Sequence, residues 1–369
     1  MPLDHYRPLG RSGLIVSPLA LGTMTFGAGG WGADETASRA IWDAYVDAGG
    51  NFIDTADVYA SGGGEEMVGG FIADGGSRDR IVLATKSGFP FERGHPHVGG
   101  NGAKHVRAAL EGSLRRLGTD HIDLYWAHVW DQVTPAEELL RTMADLVRAG
   151  HIRYYGLSNV PAWYATKMAT LAAVHGVPGP IALQFEYSLA ERGIEYEHAA
   201  VAREFGMGLV PWSPLAGGFL SGKYRREDAG DKGPSAPGLP SASAADTAPT
   251  EGGRLNGANP FGDTKFTDRN WDILDALRAV ADEVGASPAS VALAWVTGRP
   301  GVDSTLIGAS RPDQVASNVA ALDVELSAEQ RGRLDEVSAP PPVAPFNLAS
   351  PFIKKLVFGG TDVRTRPIA

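Results

Sequence analysis

The sequence has no cysteine among its 369 residues. This absence excludes disulfide bonds, thiolate metal ligands and thiol nucleophiles from the chain. Long apolar runs are missing as well, since no segment approaches the roughly 20 apolar residues that a membrane-spanning helix needs. The opening segment, MPLDHYRPLG, contains no apolar core typical of a signal peptide. Together these absences predict a soluble, cytoplasmic protein.

Positive charge is scarce relative to negative charge. The chain has 33 Lys and Arg against 43 Asp and Glu, which gives a formal net charge of -10 with neutral histidine. No basic stripe offsets this charge, so we expect no nucleic-acid partner. With 43% hydrophobic residues the chain can bury a large core, and its length allows one large domain or two.

Short apolar runs, the predicted strands, alternate with longer amphipathic stretches. The runs cover residues 19–26, 51–54, 81–86, 122–128, 154–158, 181–187, 208–213 and 304–308. Of the stretches between them, PAEELLRTMADLVRAG places one apolar stripe on a predicted helix, formed by Leu139, Leu140, Met143, Leu146 and Val147. Eight runs that are apolar on both faces favour a parallel α/β fold closed into a (β/α)8 TIM barrel. No G-x-G-x-x-G follows the first run, which counts against a doubly wound alternative.

Three segments lie outside this alternation. LGRSGLIVSPLAL is predicted to be a hairpin that turns at Ser12 and Gly13 and plugs the barrel bottom. Residues 225–264 are rich in Gly, Pro, Ala and Ser, so we expect a long loop after strand seven rather than a domain boundary. One barrel domain is therefore predicted over residues 1–338. The Pro-rich tail, 339–369, is expected to be a surface wrap or a flap over the substrate pocket.

Four residues with acid–base side chains stand at or just past the ends of three successive predicted strands. Asp54 ends the second run, Tyr59 follows five positions later, Lys86 ends the third run and His128 ends the fourth. Because parallel strands end at the same rim, these side chains are predicted to converge. A phenol beside a carboxylate-paired ammonium, with an imidazole nearby, can protonate a carbonyl oxygen while hydride reaches its carbon. The pattern indicates reduction of an aldehyde or ketone.

The phenol depends on its neighbours for this chemistry. The reference pKa of tyrosine is about 10, so Tyr59 is a reluctant acid unless Lys86 stabilises its phenolate. Asp54 would keep Lys86 charged, and His128 would hydrogen-bond the substrate oxygen or assist the proton transfer. Taken singly, Asp54, Tyr59, Lys86 and His128 are more often a helix cap, a packed ring, a surface charge and a core histidine. Their joint placement favours an acid–base site.

Several motifs resemble those of the aldo-keto reductase superfamily, in its order and spacing and over nearly the whole chain. They are FIDTADVY, LATKSG, LYWAHVWD, GLSN, QFEYS, WSPLAGGFLSGKY and IGASRPDQVASN. The resemblance implies a (β/α)8 barrel, NADP(H) bound in extended form at the carboxyl face, and a catalytic tetrad that falls on Asp54, Tyr59, Lys86 and His128. The GASR segment and the HVWD turn are most similar to bacterial members related to potassium-channel β subunits.

The predicted NADP(H) contacts lie on the same rim as the tetrad. Ser158, Asn159 and Gln184 end strands five and six, where they can hydrogen-bond a carboxamide, and Trp212 offers an aromatic face to the nicotinamide. In the Gly-rich turn after strand seven, backbone N–H groups can approach a pyrophosphate and Lys223 can neutralise it. The other predicted contacts are Gly22, Thr23, Ser213, Pro214, Leu215, Gly217, Leu220, Gly222 and, from similar placement in the family, Arg254.

A predicted helix after strand eight begins with Gly308, Ser310 and Arg311. Its N-terminus is a ready anion site, and the Arg311 guanidinium can fork onto a phosphate, which favours NADPH over NADH. The alternative is that Arg311 is an ordinary surface residue. Gln314 and Asn318 resemble adenine contacts of the family. Ser317 stands where relatives often have Glu, a departure that bears on adenosine affinity and on the preference for NADPH.

Aromatic residues follow three strand ends and are predicted either to shape the substrate pocket or to pack structurally: Trp31, Phe89 and Trp130. His95 and His97 have a metal-like spacing, but no carboxylate pattern completes a site, so we expect a solvated loop and no metal. The expected partner is a small carbonyl compound. An aryl aldehyde, a sugar and a polyketide ketone all suit such a pocket, and oligomeric state is equally open.

Two other functions are compatible with the same residues. A redox-sensing or regulatory subunit would keep the cofactor and the tetrad but turn over slowly. A Schiff-base aldolase would use Lys86 as its nucleophile, although Asp54 beside it would hold the amine protonated. The complete tetrad favours the reductase.

Overall fold

Eight parallel strands form the main sheet of this protein. The computed structural model describes residues 3–29, 32–90, 94–226, 255 and 265–364. In the order 10-3-4-5-6-7-8-9, the sheet contains β3 (Leu19–Gly22), β4 (Phe52–Asp54), β5 (Val82–Ser87), β6 (Ile122–Ala127), β7 (Ile152–Ser158), β8 (Ala182–Gln184), β9 (Gly208–Leu209) and β10 (Thr305–Ile307). Each of these strands lies inside a predicted run or overlaps it closely. The sequence prediction of an eight-stranded parallel α/β fold is therefore confirmed.

The sheet curls so that its two ends meet. Leu209 N donates a hydrogen bond to Gly301 O at 2.8 Å, and Leu306 N donates to Pro211 O at 2.9 Å. These bonds connect the β9 end of the strand order to the β10 end, which itself pairs with β3. All the carboxyl ends of the strands consequently face one rim.

Helices follow most strands and cover the outer face of the sheet. They are α1 (Glu35–Asp47), α2 (Gly63–Gly75), α3 (Ala103–Leu117), α4 (Ala136–Arg148), α5 (Ala162–His175), α6 (His198–Phe205), α7 (Asp268–Val284), α8 (Pro288–Thr297), α9 (Pro312–Ala320), α10 (Ala328–Val337) and α11 (Pro351–Val357). In α4 the predicted apolar stripe is buried, except that Val147 is half-buried and packs against the same core. The periodicity of the sequence therefore placed this helix correctly.

Alternate strand residues supply two separate cores. In β6, Leu124 and Trp126 point into the inner core, whereas Tyr125 and Ala127 pack under the helices. The Trp126 ring crosses the neighbouring strand at Gly156, where a Cβ atom would lie 2.3 Å from the ring. Glycine at this position lets the inner core hold a tryptophan.

The predicted hairpin is present at the amino ends of the strands. β1 (Arg7–Pro8) pairs antiparallel with β2 (Ile15–Val16), and Ser12 and Gly13 lie in the turn between them. Arg11 N donates to Gly206 O at 2.7 Å, just before β9 begins. Apolar side chains of the hairpin enter the inner core: Leu9, Leu14 and Val16.

Little of the predicted 225–264 loop falls within the described residues, which here are Arg225, Arg226 and Leu255. Leu255 packs against the outer core beside Tyr224. The tail after α10 lies against the loop that follows β8, because Tyr196 stacks at 5.4 Å on Phe346. The domain division at residue 338 stays a prediction. Among the helices described, none is long and apolar enough to cross a membrane.

Candidate active site

The four predicted acid–base residues meet at the carboxyl rim of the sheet. Asp54 ends β4, Lys86 is the fifth residue of β5, and His128 directly follows β6. Tyr59 begins a short 3-10 segment, Tyr59–Gly62, between β4 and α2. Strand register brings these positions together, since Asp54 pairs with Ala84 and Lys86 pairs with Trp126.

Lys86 is the centre of the site. Its Nζ atom donates hydrogen bonds to Asp54 Oδ1, to Thr55 O at 2.8 Å and to Tyr59 Oη at 3.2 Å. The Lys86 and Asp54 side chains are only 1% and 2% exposed. Burial lowers the pKa of Lys86, but the charge and hydrogen bonds of Asp54 and Tyr59 outweigh burial and raise this pKa above its ordinary value. Lys86 is therefore a permanent ammonium that touches the phenol.

His128 stands on the other side of the phenol. Its ring lies edge-on to the Tyr59 ring at 6.1 Å and to the Phe89 ring at 4.8 Å. Burial, followed by the charge of Lys86, holds the pKa of His128 well below its usual range. The imidazole is therefore neutral near neutral pH, and it can donate one hydrogen bond without competing with Tyr59 for a proton.

Gln184 joins the acid–base group to the predicted nicotinamide contacts. Its Nε2 atom donates to Asp54 Oδ2 at 3.0 Å, so both Asp54 oxygens are engaged by different strands. Sequence reasoning assigned Gln184 only to the cofactor and missed this second contact. The two residues are 130 positions apart, and no local pattern signals their pairing.

The predicted nicotinamide contacts form one hydrogen-bonded row. Ser158 pairs in register with Gln184. Asn159 Nδ2 donates to Ser158 Oγ at 3.0 Å, and Trp212 Nε1 donates to Asn159 Oδ1 at 3.2 Å. Next to Asp54 on the neighbouring strand, Thr23 directly follows Gly22, the last residue of β3. Its backbone N donates to Asp54 O at 3.0 Å. These residues border the same rim as Lys86.

The turn after β9 is tightly coiled. The 3-10 segment Ala216–Ser221 contains left-handed residues at Gly217, with φ 67°, and Gly218, with φ 94°. Backbone N–H groups in turn conformations can form concavities that hold anions. Lys223 is exposed beside this turn, with its Nζ 5.0 Å from the Tyr224 ring. The predicted Ser213, Pro214, Leu215, Leu220 and Gly222 lie in or directly beside this turn. Arg254 lies outside the described residues.

The residues predicted to bind the 2'-phosphate and the adenine gather along the first turns of α9. Ser310 N and Oγ both donate to Gln314 Oε1, at 2.7 and 3.3 Å. The guanidinium of Arg311 is exposed, and its Nε donates to Asp313 Oδ1 at 3.1 Å. Asn318 is buried and its Nδ2 donates to Gly308 O at 3.5 Å. Sequence reasoning missed Asp313, because a spacing of two residues does not normally signal an ion pair on a helix.

Aromatic rings line one side of the rim. Phe89 touches His128, as described above, and Trp130 lies edge-on to Trp163 at 5.8 Å. Trp163 is 56% exposed and was not predicted; it follows the β7 end by five positions, which is the signal that could have found it. Trp31 lies outside the described residues. His95 and His97 rings are 5.7 Å apart, and no group of three or more metal-binding side chains occurs in the described part of the chain.

A second group of charged side chains lies behind the site and was also missed. Asp57 and Glu65 are both fully buried, and Arg116 from α3 donates to Glu65 Oε2 at 2.7 Å. Burial, followed by the negative charge of Glu65, raises the pKa of Asp57 well above its usual range. The acidic residues occur within FIDTADVYASGGGEE, but the sequence does not reveal which of them face inward.

Comparison with known proteins gives one consistent result. Residues 18–339 match the model of the aldo/keto reductase family. The chain is 35% identical over 343 residues to "Uncharacterized oxidoreductase YrpG" of Bacillus subtilis, with 90% of this chain and 95% of that protein covered. It is 35% identical to "Probable voltage-gated potassium channel subunit beta" of Oryza sativa, with 87% and 92% covered. Identity to "Aryl-alcohol dehydrogenase (NADP(+))" of Phanerodontia chrysosporium is 32%, with 95% and 88% covered.

Proposed function

The chain belongs to the aldo/keto reductase family, and we propose that it is an NADPH-dependent oxidoreductase that reduces an aldehyde or ketone to an alcohol. The curled sheet is, in this proposal, a closed (β/α)8 barrel with the substrate at its carboxyl rim. The observation that carries the proposal is the contact of the Lys86 ammonium with both Asp54 and the Tyr59 hydroxyl. A phenol beside an ammonium that is paired with a carboxylate is suited to general acid catalysis.

Tyr59 is the proton donor in this proposal. Its hydroxyl gives a proton to the carbonyl oxygen of the substrate, and the Lys86 ammonium at 3.2 Å stabilises the phenolate that remains. Asp54 holds Lys86 charged and in place. The neutral His128 donates a hydrogen bond to the same substrate oxygen, which orients the carbonyl and favours negative charge on it.

NADP(H) would lie along the row from Trp212 to Arg311. When bound, the nicotinamide supplies the hydride. Ser158, Asn159 and Gln184 would hold its carboxamide, with the Trp212 ring, fixed by Asn159, against one face. The coiled turn with Gly217 would hold the pyrophosphate. Arg311 would reach the 2'-phosphate, for which it must leave Asp313.

An aromatic carbonyl compound is the first substrate to test. Phe89 and Trp130 flank the acid–base group, and Trp163 extends the aromatic wall toward solvent. Flat rings pack well on such a surface, with ring–ring contacts of about 0.5–1.5 kcal/mol each beyond area burial. A relative is named an aryl-alcohol dehydrogenase, which supports the same choice.

Turnover of the purified protein with NADPH and a panel of aryl aldehydes, sugars and polyketide ketones tests the proposal. Reduction is followed by loss of NADPH absorbance, and the alcohol product is identified by mass. Tyr59→Phe is the matched control, since it removes one oxygen and keeps the ring. No turnover of any carbonyl by the wild type, with NADPH bound, would contradict the proposal.

A redox-sensing subunit is the second candidate, and the rice relative named as a potassium-channel β subunit favours it. Such a protein would bind NADPH tightly, transfer its hydride once to a carbonyl compound and then release NADP+ very slowly. Rapid mixing separates the two candidates. A single fast turnover followed by very slow release supports the sensor, whereas sustained multiple turnovers support the reductase.

A further inference from the structure

An ion pair between the fully buried Glu65 and the partly exposed Arg116 lies behind the loop that carries Tyr59. Glu65 is fully buried on α2, and it accepts hydrogen bonds from two elements. Arg116 Nε, from α3, donates to Glu65 Oε2 at 2.7 Å, and Thr85 Oγ1, from β5, donates to Glu65 Oε1 at 2.5 Å. Thr85 immediately precedes Lys86. The carboxylate therefore ties two helices to the strand that carries Lys86.

The loop in front of this pair, Tyr59–Gly62, has an unusual backbone. Ala60 has φ 48°, Ser61 has φ 54° and Gly62 has φ 95°, so three successive residues are left-handed. Residues with a Cβ atom disfavour this region, and a run of them persists only where surrounding contacts impose it. Tyr59 directly precedes this run.

Arg116 supplies such a contact. A Cβ atom on Gly62 would lie 2.8 Å from Arg116 Cδ and 3.0 Å from its Nε, so the Arg116 side chain lies directly against the Gly62 backbone. Two residues before the loop, Asp57 N donates to Lys86 O at 3.2 Å, which ties this part of the chain to β5. Contacts on both sides of the loop thus connect it to α3 and to the strand that carries Lys86.

We propose that the Glu65–Arg116 pair, the clamp, positions the Tyr59 hydroxyl against Lys86. The inference rests on the proposed function, in which Tyr59 is the proton donor. A buried ion pair gains little net stability over apolar side chains of similar volume, but its hydrogen bonds fix direction. Here the fixed Arg116 side chain packs against Gly62, and this contact holds the backbone of the segment that begins with Tyr59. Glu65 and Arg116 are positioning residues, since neither reaches the rim where substrate would bind.

The test is a paired removal of the clamp. Glu65→Met with Arg116→Met removes both charges together, so no unpaired charge remains buried and the protein is expected to fold. We expect kcat to fall on the order of 10- to 100-fold, as small misplacements of reacting groups do, with NADPH affinity unchanged. Glu65→Gln, which keeps shape but not charge, should show a smaller loss of the same kind.

Combining the paired removal with Tyr59→Phe distinguishes an effect on the position of the Tyr59 hydroxyl from a general loss of structure. If the clamp acts through the Tyr59 hydroxyl, the paired removal will not lower the residual rate of Tyr59→Phe further. An equal additional loss in that background would overturn the inference, and so would a paired variant with kcat within about twofold of wild type.

Arg78 provides a matched control. Its Nη1 donates to Asp123 Oδ2 at 2.8 Å, and its side chain is 20% exposed against 21% for Arg116. Arg78, however, joins the amino ends of β5 and β6, away from the rim. Arg78→Met should lower the melting temperature and leave kcat intact.

Full activity of Tyr59→Phe would refute the proposed function itself, whereas loss in Tyr59→Phe with none in the clamp variants would refute only the clamp.

Discussion

Lys86 donates a hydrogen bond to Asp54 where both side chains are almost completely buried, and the same Nζ atom lies 3.2 Å from Tyr59 Oη. The Lys86 ammonium therefore contacts a carboxylate oxygen and a phenol oxygen. Asp54 keeps the pKa of Lys86 raised despite burial, so the ammonium beside the Tyr59 hydroxyl stays charged. Removal of any member of this set has a different expected consequence.

Tyr59→Phe should reduce turnover by about 10²- to 10⁴-fold, because general acid catalysis contributes about that much. NADPH affinity should stay within about twofold, since the ring and its contact with His128 are kept. Steady-state rates and fluorescence titration measure the two effects. A variant with more than about a tenth of wild-type turnover would show that another group donates the proton.

Lys86→Met should lower turnover by a similar factor and should also destabilise the fold. The carboxylate of Asp54 would remain buried with Gln184 as its remaining partner, and loss of one partner of a buried pair costs about 3–5 kcal/mol. Urea unfolding measures the cost. Asp54→Asn combined with Lys86→Met is the control, because it should recover stability but not activity. Normal turnover in the single variant would rule out the tetrad.

The convergence of these four residues could be predicted from sequence because each stands at or near the carboxyl end of a strand, and these ends share one rim. Asp54, Lys86 and His128 needed only the strands to be recognised. The bond from Gln184 to Asp54 and the edge-on contact of Trp163 with Trp130 depend on which strands are neighbours and how rings pack, which periodicity does not encode. The Glu65–Arg116 pair could not be predicted either. Arg116 lies on α3, which carries other charged residues on its solvent face, so the sequence does not show that this arginine contacts Glu65.

The free energy of unfolding should decrease from about pH 6.5 downward, because three histidines bind protons more weakly in the folded protein than in the unfolded chain. Burial lowers the pKa of His105, His128 and His198 in the folded protein. Below the unfolded pKa the unfolded chain therefore binds more protons, and each such proton costs about 1.4 kcal/mol per pH unit. Unfolding in urea at pH 8 and at about pH 5.5 tests this. His198→Gln should reduce the slope, and an unchanged slope would exclude His198 as a contributor.

Asp57→Asn should stabilise the protein at neutral pH. Burial and Glu65 raise the pKa of Asp57, and its carboxyl oxygens have no hydrogen-bond partner among the described residues. The folded protein therefore binds this proton more tightly than the unfolded chain, so stability falls as pH rises above about 3.9. The gain from Asn should be clear at neutral pH and vanish near pH 4. Destabilisation at neutral pH would mean that an ionised Asp57 is stabilised by Arg116.

Arg311→Ala should weaken NADPH binding about ten- to a hundredfold and leave NADH binding nearly unchanged. A guanidinium at a helix N-terminus, next to the Ser310 hydroxyl, can make charge-assisted bonds to a 2'-phosphate that NADH lacks, and such bonds are worth roughly 1.5–3 kcal/mol. Fluorescence titration with both cofactors measures the change. Equal losses for the two cofactors would mean that Arg311 supports the pyrophosphate or the fold.

The ion pair of Arg311 with Asp313 supplies the converse experiment. The Nε of Arg311 lies 3.1 Å from Asp313 Oδ1, so the guanidinium must exchange this carboxylate for the phosphate. Asp313→Asn should therefore tighten NADPH binding without affecting NADH. The pair is exposed, and exposed pairs are worth roughly 0–1 kcal/mol, so the gain should not exceed about fivefold. If the wild type already prefers NADH, Ser317, whose hydroxyl donates to Asp313 O, becomes the residue to change.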